Sequence, residues 1–170
     1  MKKRILLTSF DTWLSDQQSN SSDDLLLEVA KLNLLAHNLT FLRQLPVDVQ
    51  LASECVIKKI NEFQPDCIIC CGMAAKRMQL SVEVCAGCAE SVLHTEVDLE
   101  QLISGATAIE ISHDCGKFVC EGLYYSVLDY LRQRQLTTRC IFVHVPVLNQ
   151  ENLVGIMADF VLIINKLALS

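Results

Sequence analysis

Hydrophobic positions along this chain fall into short continuous runs separated by longer stretches with helical spacing. Arg4–Phe10 (RILLTSF) is apolar until it ends in small polar residues, which predicts a buried first strand running into a loop over Asp11–Ser22. Leu25, Leu26, Val29 and Leu32 then recur at helical spacing. Ser22, Asp23 and Asp24 stand where a helix start leaves N–H groups free. Leu39–Leu45, closed by Pro46, reads as a second strand. Ala52, Cys55, Val56, Ile60 and Phe63 share one helical face until Pro65 stops it, and Cys67–Cys71 is a third apolar run ending at Gly72. Gln79–Cys85 alternates weakly and Thr107–Ser112 reads as a strand. Phe118–Arg134 reads as an apolar helix, Arg139–Pro146 as the last strand and Glu151–Ala168 as the closing helix. Strands that are apolar throughout and separated by helices predict an α/β fold: a three-layer α/β/α sandwich around a largely parallel sheet. Ligands on such sheets sit beyond the strand C-termini. The first strand is not followed by a glycine-rich loop, which argues against a nucleotide site there.

Composition narrows the picture. A chain of 170 residues that is 51% hydrophobic can bury a core as one domain over residues 1–170 without disulfides or metals. The net charge of −6 and the lack of a basic run exclude the usual footprint of a nucleic-acid binder. Met1–Arg4 is basic, but too few apolar residues follow before Thr8 for a secretory core. The apolar stretch Leu153–Leu169 is interrupted by Asp159, Asn165 and Lys166. The expectation is a cytoplasmic protein with no membrane span. Nine cysteines, an odd number without a secretory signal, read as reduced thiols rather than a disulfide framework.

Three residues stand where chemistry could occur. Cys120 opens a predicted helix, where free N–H groups and the positive end of the helix dipole favour a thiolate. His144 lies near the end of the last strand and is the candidate base. Glu83 is a carboxylate within the apolar stretch LSVEVCA, costly there unless it has a partner such as an imidazole. Each also has an ordinary reading: a buried cysteine, a core histidine, a solvated glutamate on an edge strand. Together they make the thiol, base and orienting carboxylate of a cysteine hydrolase. Zinc is the competing reading of Cys67-x-x-Cys70 and Cys85-x-x-Cys88. Residues three apart on a strand point to opposite faces, so the first pair does not converge and no metal is expected. A redox role for Cys85-Ala86-Gly87-Cys88 fails because that motif should open a helix, not follow a strand.

The segment from Cys71-Gly72-Met73-Ala74 through Arg77 to Leu80-Ser81-Val82-Glu83 resembles that of the pyroglutamyl peptidase I family leading to its catalytic Glu. Ser112-His113-Asp114-Cys115-Gly116-Lys117-Phe118-Val119-Cys120 is similar to the family's nucleophile segment, and Ile141-Phe142-Val143-His144-Val145-Pro146 to its histidine strand. Thr8-Ser9-Phe10-Asp11-Thr12-Trp13 resembles the loop whose aromatics hold the pyroglutamyl ring. The resemblance implies a cytosolic, cofactor-free sandwich that cleaves N-terminal pyroglutamyl or similar small acyl amides of peptides. Cys120 would be nucleophile, His144 base and Glu83 its orienting carboxylate, with Phe10 and Trp13 contacting substrate.

Departures from the family pattern bear on substrate. The stretch between Glu83 and Cys120 is shorter than in the family. The family arginine expected soon after Glu83 has no counterpart in Ala89-Glu90-Ser91-Val92-Leu93, and Glu121 replaces an asparagine beside the nucleophile. The alternative is therefore a re-specialised or non-catalytic member that binds a small ligand or peptide. The apolar last helix, with Ile156, Met157, Phe160, Val161, Ile163 and Ile164, either packs wholly on the sheet or helps form a homo-oligomer.

Overall fold

In the computed structural model, which describes residues 1–33 and 36–170, strand β1 (Arg4–Phe10) leads to α1 (Ser21–Lys31), β2 (Asn38–Leu45), α2 (Val49–Phe63) and β3 (Cys67–Met73). There follow β4 (Leu80–Glu83), β5 (Cys85–Cys88), β6 (Ser91–His94), α3 (Leu99–Ile103), β7 (Ile109–Ser112), α4 (Val119–Gln133), β8 (Arg139–Val145) and α5 (Leu153–Leu169). Six strands form the main sheet in the order β2-β1-β3-β8-β4-β7. The first four run parallel. β4 runs antiparallel to β8, and β7 parallel to β4. The expected sandwich with a mostly parallel sheet is therefore the fold.

Alternation along the strands divides the core into two layers. Ile5, Leu7, Cys67, Ile69, Cys71, Ile141 and Val143 point to one face, under α1 and α5. Leu6, Phe10, Ile68, Cys70, Cys140 and Phe142 point to the other, under α2 and α4. The path from β1 to β2 and then back across β1 to β3 explains why α1 and α2 lie on opposite faces. Cys67 and Cys70 belong to different layers, as the strand period requires, so they cannot share an ion. Helix α5 buries Ile156, Phe160, Ile163, Ile164 and Leu167 on the first face. Among the described residues no helix is long and apolar enough to cross a membrane. Asp159, which breaks the apolar run of α5, is buried and accepts the N–H groups of Thr107 and Ala108 at 2.8 Å, fixing the entry to β7.

Capping sets the helix starts. Asn20 accepts from the Ser22 N–H at the head of α1, and Asp48 from the Leu51 N–H at the head of α2. The buried Asp23 ties α1 to the end of β1 and to β2. It accepts from Ser9 Oγ at 2.7 Å and takes both prongs of the Arg43 guanidinium at 2.8 and 2.9 Å. Burial alone would raise the Asp23 pKa, but the bonds and charge of Arg43, with Ser9, bring it below the ordinary carboxylate value.

The region after β4 departs from the sequence expectation. Gln79–Cys85 is not one strand, because the chain leaves the main sheet at Val84. Its N–H bonds to Ser112 O and its carbonyl accepts from Thr95 N. Beyond it, β5 and β6 pair antiparallel as a separate hairpin. Neither that hairpin nor the five-residue α3 was expected from the sequence.

Candidate functional site

Strand ends and one helix start bring the three candidate residues to one place. Register sets Gly72 of β3 beside His144 of β8, and Ser81 of β4 on the other side of His144. Glu83 lies opposite Phe142, two positions back from His144 along β8, so its side chain shares a face with both. His144 Nδ1 lies 2.6 Å from Glu83 Oε1. With Nδ1 engaged by the carboxylate, Nε2 is the ring nitrogen left for chemistry. Glu83 is fully buried, in a strand flanked on both sides, so the solvated edge position considered from sequence is excluded. Its Oε1 also accepts from Arg77 Nη1 at 2.7 Å. Arg77 Nη2 donates to the Asp114 carbonyl at 2.7 Å, and the Tyr124 hydroxyl to the Glu83 carbonyl at 3.1 Å. Arg77 and Tyr124 thus hold the carboxylate strand to the loop and helix that carry the cysteines. The signal for Arg77 was its place between Gly72 and Glu83 in the quoted segment. Its pairing with Glu83 could not be read from spacing.

Cys120 is the second residue of α4, with its thiol over the backbone of Gly72. A β-carbon built on Gly72 would lie only 2.5 Å from the Cys120 sulfur and 3.0 Å from Phe142 Cζ. Only glycine leaves room for a thiol there, one strand away from His144. Gly72→Ala is accordingly expected to push the sulfur off the His144 side and to cut turnover by at least about 10²-fold. Steady-state kinetics paired with a thermal melt would separate that displacement from unfolding.

The helix start exerts less control over the thiol than the sequence suggested. Phe118 at the N-cap makes no side-chain cap bond, so the first-turn N–H groups are uncapped. Even so, the Cys120 thiol is pushed up to about 12, first by burial, then by the negative charge of Glu83 and by Cys70. Its own backbone N–H only partly offsets these. Glu121, next to Cys120 in sequence, turns its Oε1 to the Gly87 N–H at 3.0 Å. The anion responsible is Glu83.

Cys115, to which the sequence assigned no role, is the unexpected neighbour. It is buried, only 4% exposed, in the turn that Gly116 makes with φ +84°. Ligating atoms of Cys115, Glu83 and His144 all lie within 4.8 Å of one another. Its thiol is driven well above the ordinary range by burial and then by the Glu83 charge. Phe10 and Trp13 are placed differently from each other. Phe10, 2% exposed, is packed in the layer under α2 and α4, whereas Trp13 is 49% exposed in the following turn, its N–H bonded to Gln17 Oε1 at 3.0 Å.

An α/β/α sandwich that sets a thiol, an imidazole and a buried carboxylate at adjoining strand ends has the parts for nucleophilic acyl transfer. The family model described as pyroglutamyl peptidase matches residues 3–108 and 99–159, and the chain belongs to that family. Both stretches include residues 99–108, so the match passes twice over α3 and the loop before β7. Among its relatives, the pyrrolidone-carboxylate peptidase of Thermoanaerobacter sp. (strain X514) is 26% identical, over 85% of this chain and 83% of the relative. That of Bacillus subtilis (strain 168) is 26% identical over 90% and 82%. The crystal structure of pyroglutamyl peptidase I from Bacillus amyloliquefaciens superposes with a TM-score of 0.84 at 23% identity, over 100% of this chain and 97% of that one. The Thermococcus litoralis pyrrolidone carboxyl peptidase gives 0.80 at 17%, over 98% and 93%.

Proposed function

We propose that the chain is a cysteine peptidase that removes an N-terminal pyroglutamyl group from peptides. Cys120 is the nucleophile, His144 the base and Glu83 the carboxylate that orients it. The observation that carries this reading is the 2.6 Å contact of Glu83 with His144 Nδ1, beside a thiol seated over Gly72. His144 Nε2 takes the thiol proton as sulfur attacks the acyl carbon, then returns it to the departing amine; water resolves the thioester by the same route. The uncapped first-turn N–H groups of α4 lie next to the sulfur and stabilise the oxyanion. Cys120 is preferred to Cys115 because it is only half-buried and sits at the helix start, whereas Cys115 is closed off from solvent.

The pyroglutamyl reading calls for Phe10 and Trp13 as the aromatics that contact the acyl group, and of the two Trp13 is the exposed one. A second reading, the same chemistry on another small acyl group, is favoured by Phe10, which lies in the core and offers no open ring face. One assay distinguishes the two. The reduced protein is given fluorogenic amides of pyroglutamate, proline and alanine, and the acyl-enzyme is trapped by acid quench and located by peptide mass mapping. The expected result is release from the pyroglutamyl amide with the acyl group on Cys120. Turnover of another acyl amide alone supports the second reading, and an acyl group on Cys115 would sink the assignment of the nucleophile.

A further inference from the structure

We propose that Glu83, Cys115 and His144 form a binding site for a soft divalent cation of the zinc type, and that such a cation reversibly shuts off the site. Two independent observations support it. The first is convergence: one ligating atom from each of the three buried residues falls within a 4.8 Å limit. Zinc bonds of about 2.0–2.3 Å in tetrahedral geometry place ligands roughly 3.3–3.8 Å apart, so a cation would part the 2.6 Å Glu83–His144 contact and shift the donor atoms by about 1 Å. The second is an unpartnered oxygen. Glu83 Oε1 serves both His144 and Arg77, whereas Oε2 is buried and has no hydrogen-bond partner among the described residues, which leaves its lone pairs for a ligand.

The donor set selects the metal. One sulfur, one imidazole nitrogen and one carboxylate oxygen suit zinc, whereas magnesium and calcium prefer oxygen alone. On binding, the Cys115 thiol loses its proton to solvent and sulfur bonds to the metal; no oxidant or reductant takes part. The remaining coordination position goes to water. A cation held in this way occupies two of the three residues assigned to catalysis. Binding is independent of the peptidase reading; only the inhibition rests on it. Among the described residues, no other group of three His, Cys, Asp or Glu side chains converges in this way.

The test is a Zn²⁺ titration of the reduced full-length protein against a chromophoric chelator, with Co²⁺ absorption reporting thiolate coordination. One tight site per chain is expected. It should be weakened in Cys115→Ser by more than the roughly 10–100-fold that losing an outer-shell partner costs, with the cobalt–thiolate band lost. His144→Ala should weaken it likewise, which keeps the test decisive if the serine variant does not fold. Cys120→Ala and Cys88→Ser should keep both affinity and band. The proposal is overturned if Cys115→Ser and His144→Ala bind as the parent does, or if the site disappears with Cys120 or Cys88 instead. These binding readouts hold whether or not any pyroglutamyl amide is cleaved. In an active protein, zinc inhibition should shift to higher concentration in Cys115→Ser.

Discussion

Cys120→Ala is expected to lower amide release by about 10⁶-fold, to the level set by binding and the oxyanion site alone. The size of the effect follows from the chemistry: without sulfur there is no acyl-enzyme, and His144 has no proton to take. The comparison that gives the number meaning is Cys115→Ala, where the loss should not exceed about tenfold, because that thiol is buried and lies outside the proposed attack path. Single-turnover kinetics on both variants, with melting curves to show that each is folded, would decide between the two sulfurs. Equal losses would mean that the cysteines act as a unit, and the assignment to Cys120 would fall.

Glu83→Gln should move two observables in opposite directions. Turnover should fall by roughly 10⁴-fold, the scale on which an orienting carboxylate matters in a triad, since Gln cannot hold His144 Nδ1 as the carboxylate does. Alkylation of Cys120 should become faster near neutral pH. Burial is the largest contribution to the raised Cys120 pKa and the Glu83 charge the next, so removing that charge lowers the pKa from about 12 and increases the thiolate fraction. Iodoacetamide labelling of Cys120 followed by mass spectrometry across pH, beside kcat and KM, tests both halves. A merely structural role for Glu83 would slow turnover without shifting the labelling profile to lower pH.

The elements legible in the sequence were those whose signal is continuous. RILLTSF and RCIFVHV are buried on both faces and read as unbroken apolar runs, and α2 and α4 show helical spacing over fifteen residues each. The β5–β6 hairpin was not legible because its turn lacks the residues that usually mark one. Ala89 takes φ +52° there without being glycine or asparagine. Helix α3, at five residues, is shorter than two turns and cannot display a period. Candidate residues at strand and helix ends could be read, since Cys120, His144 and Glu83 stand at recognisable boundaries. What encloses them could not: the Glu83–Arg77 pair, the approach of Cys115 and the raised Cys120 thiol all depend on register and burial across distant segments. For the same reason the helix start could not be weighed from sequence against what opposes it, burial of the Cys120 thiol first and the Glu83 charge second.

The return of β7 onto β4 has a consequence for engineering. The chain leaves the main sheet after Glu83 and comes back to pair Ser112 with Glu83. The detour itself, residues 84–108, leaves the ladder at Glu83 and rejoins it at Ile109, opposite Leu80. Its outer turn at Gly105, with φ +86°, has open space where a side chain would stand. Length added at that turn, rather than elsewhere in the detour, is therefore expected to leave the spacing of carboxylate, imidazole and thiol unchanged. A segment grafted at that turn would stand beside Lys166 near the end of α5, on the face of the sheet opposite Cys120, so a tag or tether can be carried there while the reaction centre stays untouched.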